Sequence, residues 1–267
     1  MIENIRRRDI LSINSSWAND RFKRRMVQYM RGDELLLRDD LNYTIAGGFC
    51  NCVDTRRPIN DLDIYPQDGE TRAKLIATLI NNSWDTNNDK TFIKDNRKVQ
   101  ILGIYNNPKD ILREFDFTVC MKGWNPNQQT ICLHNMYNQD VYQKIMNYNM
   151  DSTNPIKNII HLTKYINYGY KIRSKDLLSI LFKINHLQLS DPEVFKEQLM
   201  YYESDGLLNE YMELYTKVTG TEMPSGGSRE TCPTCNGEIG EFRDEISVRE
   251  HGISGMCQNC QDSVFGR

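Results

Sequence analysis

Two aspartates one residue apart, Asp61 and Asp63 in the run Asp-Leu-Asp-Ile, are the side chains in this sequence best placed for chemistry. In an extended strand, residues two apart point to the same face. The two carboxylates therefore emerge side by side, while Leu62 and Ile64 turn towards a core. Like charges that close raise each other's pKa unless a cation lies between them. Mg²⁺ suits that position, because it takes oxygen ligands and is commonly held by carboxylates together with substrate phosphates. Mn²⁺ would serve in the same way. Thirteen positions upstream, an apolar stretch runs into Gly47-Gly48. Paired glycines let backbone N–H groups approach a phosphate closely. An Asp-x-Asp alone is common on a solvated strand edge, and a lone Gly-Gly is usually a turn. In the order strand, Gly-Gly, spacer, strand, they describe a metal-assisted nucleotide site.

The same order resembles the nucleotidyltransferase superfamily that includes DNA polymerase β. With Arg57-Pro58 just before the carboxylates, it is most similar to the head of bacterial poly(A) polymerases and CCA-adding enzymes. The likeness spans about residues 41–170. It implies that Asp61 and Asp63 hold a metal on a nucleoside triphosphate and that Gly47 and Gly48 hold its terminal phosphates. Asn51, Arg56 and Arg57 would line the facing loop. Asp116, in the apolar run Phe115–Val119, reads as a third metal-site acid, since an acid in a core strand is costly unless something binds it. One of the first two acids would share a second metal with it, in the two-metal arrangement for in-line displacement.

This chain departs from the family in places. Phe115 replaces an arginine, and the family's Arg-Asp is missing at Asn51 and Cys52. In the segment from Asn154-Pro155 to Gly169-Tyr170, which in the family contacts sugar and phosphates, Lys157 keeps a cation. Two further arginines are replaced by Ile160 and Thr163, with Lys164 beside the second. The family's Glu-Asp-x-x-Arg, used to choose CTP and ATP, is absent, which argues against a faithful CCA-adding enzyme. His161 and His186 read as packed or solvated helix residues rather than bases.

These residues need elements to position them. Periodicity predicts an amphipathic helix over 14–31 and a short helical stretch over 34–40. Strands are expected at Tyr43–Ala46, Asp61–Tyr65, Thr91–Lys94, Lys98–Ile104 and Phe115–Val119, with helices at 70–82 and 108–114. Val141, Ile145 and Tyr148 suggest one more helical turn or two. Helices follow at 155–168, 175–188 (capped by Ser174), 192–203 and 206–218. The expected fold is α+β: a five-stranded mixed sheet with flanking helices as head (41–135), preceded by a basic helical segment (1–40) and followed by a helical domain (136–218).

Composition agrees with that plan. The chain has 267 residues, 39% hydrophobic, and lacks the apolar run of about 20 residues that a membrane span needs. No secretory signal is recognisable at the N-terminus. A cytoplasmic setting is expected, the host's if the chain is viral. The net charge of −3 is uneven: residues 1–31 carry a net of +5, residues 151–188 a net of +4, and residues 229–267 a net of −3. A polyanion such as RNA should meet the helical parts.

Residues 219–230 have the composition of a flexible linker. Beyond them, Cys232-x-x-Cys235 and Cys257-x-x-Cys260 form two knuckles suited to tetrahedral, structural Zn²⁺. So small a zinc ribbon (231–267) should need its metal to fold. It is expected to serve as a protein contact or a cap. The functional expectation is transfer of a nucleoside monophosphate from an NTP to a hydroxyl, with an RNA 3′ end as the favoured acceptor. The alternatives are toxin-like nucleotidylation of a protein or small molecule, and an inactive head used as a binding module.

Overall fold

Strict alternation organises the centre of the molecule. In strand β3 (Asp61–Pro66), Leu62 and Ile64 are fully buried while Asp61, Asp63 and Tyr65 face the other side, half-buried. A computed structural model describes residues 7–220 except 87, 188, 190–191 and 200–206. Beyond 230 it describes 232, 234–235, 237–244, 247–248, 251 and 256–265. The rest of the expected linker, 221–230, lies outside the described residues.

Among the described residues the main sheet has eight strands rather than five, in the order β1-β8-β7-β2-β3-β6-β5-β4. Its strands are β1 (Ile10–Ile13), β2 (Tyr43–Ala46), β3, β4 (Asp85–Thr86), β5 (Thr91–Lys94), β6 (Arg97–Ile101), β7 (Lys122–Asn125) and β8 (Thr130–His134). Only β3 and β6 run parallel, so the sheet is mixed. Four of these strands, β1, β4, β7 and β8, are not among those expected from the sequence, and β1 pairs with β8 over a hundred residues away.

Helices α1 (Ser16–Tyr29), α2 (Gly48–Thr55) and α3 (Gly69–Asn81) cover one face. Phe22, Met26, Phe49, Val53, Leu75 and Leu79 close there on Leu62 and Ile64. Ser15 caps α1 by accepting from the Ala18 amide, and Asp68 caps α3 from Thr71. Residues 34–40 form turns rather than a helix; Leu36 is nonetheless buried. The opposite face packs on the short helix α4 (Pro108–Arg113), where Ile111 and Leu112 meet Ala46 and Met121, with Tyr65 and Phe115 alongside.

A third cluster joins the head to the helices that follow. It contains Phe117, Val119, Met146, Tyr148, Leu162, Tyr165 and Ile180. Phe115–Val119 is not a strand of the main sheet. Its backbone pairs with residues 147–149 (Asn149 N–H to Asp116 O, 2.7 Å; Thr118 N–H to Asn147 O, 3.1 Å) before a 3₁₀ turn at Thr118–Cys120. The helix expected through Tyr148 ends earlier. After α5 (Tyr137–Gln143), Lys144 takes a left-handed conformation and β9 (Ile145–Met146) pairs in parallel with β10 (Lys171–Ile172). Then come α6 (Pro155–Asn167), α7 (Ser174–Asn185), α8 (Pro192–Leu199) and α9 (Leu207–Thr219). Ser174 is the first residue of α7 rather than its cap; Arg173 holds the cap position without a side-chain bond. Near the C-terminus the second cysteine knuckle runs into α10 (Gln258–Phe265). No described helix is long and apolar enough to cross a membrane.

Candidate active site

Strand β2 delivers the chain to Gly47, whose φ of 74° and ψ of −125° suit glycine alone. Its amide bonds to the Lys122 carbonyl at 3.1 Å. A Cβ there would stand 2.9 Å from the Phe115 ring and 3.9 Å from Asp63 Oδ2; one at Gly48 would stand 3.9 Å from Asp61 Oδ1. The glycine turn and the paired carboxylates thus share one small space. Gly48 opens α2, so unpaired amides at that end face a region suited to anions.

The electrostatics fit a hard cation. Burial first, and the neighbouring Asp61 second, push the Asp63 carboxyl up to about 7. Lys164, Lys98 and Lys157 act in the opposite direction without cancelling it. Lys98 lies across the parallel β3–β6 register from Asp61, with Nζ 3.8 Å from Asp61 Oδ2. Two crowded carboxylates beside a backbone cradle have the donor set that Mg²⁺ or Mn²⁺ requires.

Asp116 has a different partner. Its carboxylate is buried, and Oδ2 lies 2.7 Å from His161 Nδ1 on α6. Burial alone would raise its pKa. The charge and hydrogen bond of His161, with help from Lys157, outweigh that and hold the carboxyl below its usual range. Among the described residues, only the four cysteines bring three or more metal-ligating atoms within 4.8 Å of one another. Asp61 and Asp63 both lie beside the glycine turn, while Asp116 Oδ2 is paired with His161. Lys157 links the two places, since its charge acts on both Asp63 and Asp116.

The phosphate-binding candidates divide likewise. Lys157 and Lys164 lie on α6 with His161, at a spacing that puts all three on one helix face. Asn51 does not face the site: it is fully buried, and its amide donates to the Val119 carbonyl and the Tyr170 hydroxyl, both at 2.9 Å. Arg56 is the exposed, left-handed cap of α2. Arg57 turns back, its Nε bonding Thr55 Oγ1 and its Nη2 bonding Asn51 Oδ1, while its guanidinium lies 3.8 Å over the Tyr168 ring. Much of the basic face of α1 is also used internally. Arg21 donates to the Val53 carbonyl and Arg25 to the Arg57 carbonyl, both at 2.6 Å, at the C-terminal end of α2.

The sequence gives Lys98 no role and reads His161 as a packed or solvated helix residue, whereas its imidazole is the partner of the buried Asp116. The Lys157, His161, Lys164 spacing was the available signal for the histidine, and strand alternation opposite Asp61 the signal for the lysine.

Near the C-terminus, Cys232 and Cys257 are buried, Cys260 is half-buried and Cys235 is exposed. The Cys257 amide donates to Cys232 Sγ at 3.2 Å, and Cys235 Sγ lies 3.8 Å from Cys257 Sγ. Against the effect of burial, backbone amides of Cys257, Cys235 and Thr234 hold the Cys232 thiol below its usual range. Four clustered sulfurs, one favouring thiolate, fit tetrahedral Zn²⁺.

Comparison with known proteins places the fold. A CCA-adding enzyme in its apo form superposes with a TM-score of 0.52 at 12% identity, over 96% of this chain and 72% of that one. The Thermotoga maritima CCA-adding enzyme complexed with tRNA gives 0.50 at 12% identity, over 91% and 70%. A CCA-adding enzyme with ATP gives 0.52, also at 12% identity and over 91% and 70%. The chain has the α+β fold of these nucleotidyltransferases. In sequence, the pattern of the Gabija anti-defense 2 family matches residues 16–144. A protein described as Gabija anti-defense 2, from Bacillus phage SPbetaL7, is 27% identical over 184 residues, covering 66% of this chain and 46% of the relative. The chain thus spans just under half the length of that curated relative.

Proposed function

We propose that this chain is a divalent-metal-dependent nucleotidyltransferase. It would move a nucleoside monophosphate from an NTP to a hydroxyl acceptor, with release of pyrophosphate. The observation that carries this reading is the juxtaposition of Asp61 and Asp63 with the Gly47–Gly48 turn, opposite the Lys157 and Lys164 face of α6. A cation held by Asp61 and Asp63 would supply positive charge to the triphosphate and favour ionisation of the attacking hydroxyl. The chain's own groups orient the rest. The α2 N-terminus and the two lysines would draw the phosphates in, with the Phe115 ring packed close to Gly47.

An RNA 3′ end is the favoured acceptor, from the basic charge of residues 151–188 and from the likeness to an enzyme whose structure contains tRNA. The phage relative suggests a role in countering host defence, inside the host cytoplasm. The C-terminal cysteine module would hold structural Zn²⁺ and serve as a protein contact or cap. We read residues 41–135 as the catalytic head, 136–218 as the helical part and 231–267 as the zinc module.

A second reading is favoured by one observation: Asp116 is paired with His161 rather than gathered with the other acids. On that reading the head is an inactive binding module. Incubation with labelled NTPs, Mg²⁺ and a mixed RNA pool separates the possibilities. Label on RNA supports the proposal, label on protein supports a toxin-like transfer, and no label supports the binding module. Asp61→Ala and Asp63→Ala should each abolish transfer. Full activity in either variant would remove the assigned site.

A further inference from the structure

Arg57 and Lys144 are brought close by the packing of three tyrosines. The Arg57 guanidinium lies 3.8 Å over the Tyr168 ring, and Lys144 Nζ lies 4.3 Å over the Tyr170 ring. Tyr165 meets both rings edge-on, at 5.9 and 5.5 Å, and holds the two platforms in place. Arg57 Nη1 is buried and has no hydrogen-bond partner, though its other nitrogens are bonded. Among the described residues Lys144 makes no ion pair, and its left-handed backbone at the end of α5 fixes where its side chain begins. Burial, and secondarily the charge of Arg57, depress the Lys144 ammonium pKa. Two cations on aromatic seats, one of them with an unpartnered guanidinium nitrogen, form a preorganised site for an anion.

We propose that Arg57 and Lys144 form a phosphate seat separate from the Gly47–Gly48 turn. The seat deepens the nucleotidyltransferase reading and rests on it for the source of the phosphate. That source is either a phosphodiester of the acceptor strand or a phosphate of the nucleotide. The buried Nη1–H and the ammonium would each donate to non-bridging phosphate oxygens. The aromatic faces beneath them keep both donors oriented.

The test is direct binding to the full chain, without turnover. The probes are a fluorescently labelled single-stranded RNA hexanucleotide, ATP and inorganic pyrophosphate, with wild type, Lys144→Ala and Lys144→Arg. Lys144→Ala should weaken at least one probe about tenfold, the scale of a charge-assisted hydrogen bond. Lys144→Arg should restore most of it. If RNA is the probe affected, its salt dependence should flatten by about 0.7 in log–log slope. Loss confined to RNA assigns the acceptor strand, and loss on ATP or pyrophosphate assigns the nucleotide. Equal binding by wild type and Lys144→Ala, no binding of any probe, or a loss that arginine does not restore would each overturn the seat. Failure of the catalytic reading looks different: Asp61→Ala and wild type would then transfer alike, whatever Lys144 does to binding.

Discussion

His161 Nδ1 and Asp116 Oδ2 lie 2.7 Å apart, joining α6 to the segment that follows α4 across 45 residues of sequence. The carboxylate is buried and the imidazole about one-third exposed. The pair therefore pins the basic face of α6 against the head.

Replacing His161 should leave a buried carboxylate without its partner. His161→Ala is expected to cost roughly 1–3 kcal/mol, read as a lowered midpoint in urea unfolding. Asp116 is held below its ordinary pKa, so its stabilising contribution is present above the ordinary carboxylate range and lost as pH falls through the lowered value. The gap between wild type and an Asp116→Asn variant should accordingly narrow towards acid pH. A gap that stays constant from neutral to strongly acid pH would contradict the pairing.

Asp63 has the opposite sign. Its carboxyl is pushed up to about 7 from an ordinary 3.8. The folded state thus binds a proton that the unfolded chain has released, and this contribution is lost as pH rises between those values. Asp63→Asn should therefore raise the metal-free melting temperature at pH 8 and change it little at pH 3.5. Mg²⁺ should stabilise the wild type increasingly as pH rises through about 7, because metal and proton compete for the same oxygens. Mg²⁺ stabilisation of Asp63→Asn equal to that of wild type would count against the metal assignment.

Gly47→Ala would meet two obstacles, a backbone conformation that L side chains rarely adopt and the Phe115 ring 2.9 Å from the new Cβ. The expected loss is about 1–3 kcal/mol. Adding Phe115→Leu should relieve only the steric part. A double variant as stable as wild type would mean that backbone strain at residue 47 is negligible.

Purified protein should contain about one tightly bound zinc per chain, as four closely placed thiolates require. Cys257→Ser, or a strong chelator, should release it and expose α10 to proteolysis while the main unfolding transition persists. Native protein without zinc, with α10 still protected, would contradict the assignment.

Local patterns carried the candidate site a long way. The alternation in Asp61–Pro66 and the adjacent glycines specify two strands joined through a glycine turn, while the stretch read as spacer and loop is the helix α2. What could not be read depended on distant partners. Phe115–Val119 has the composition of a core strand, yet it pairs with 147–149, an association no local pattern encodes. Asn51 looks like a loop ligand, but Val119 and Tyr170 claim its amide from 68 and 119 residues away. A lone histidine on a helix is ordinarily solvated, and only the fold brings a buried acid to His161. Arg21 and Arg25 belong to a basic run that suggests a polyanion, but backbone carbonyls at the end of α2 reach them first.

The short approach to β3 is moored on both flanks. Arg25 holds the Arg57 carbonyl, the Tyr29 hydroxyl reaches the Asn60 carbonyl, and the Asn60 amide donates to Tyr168 just beyond α6. One mooring comes from before the head and the other from Tyr168, 108 residues beyond Asn60. A fragment trimmed to residues 41–135 would keep every acid and glycine of the candidate site but neither anchor line, so its carboxylates would drift. Activity in such a fragment should fail before its secondary structure does, and the practical unit of this molecule begins no later than α1 and ends no earlier than Tyr170.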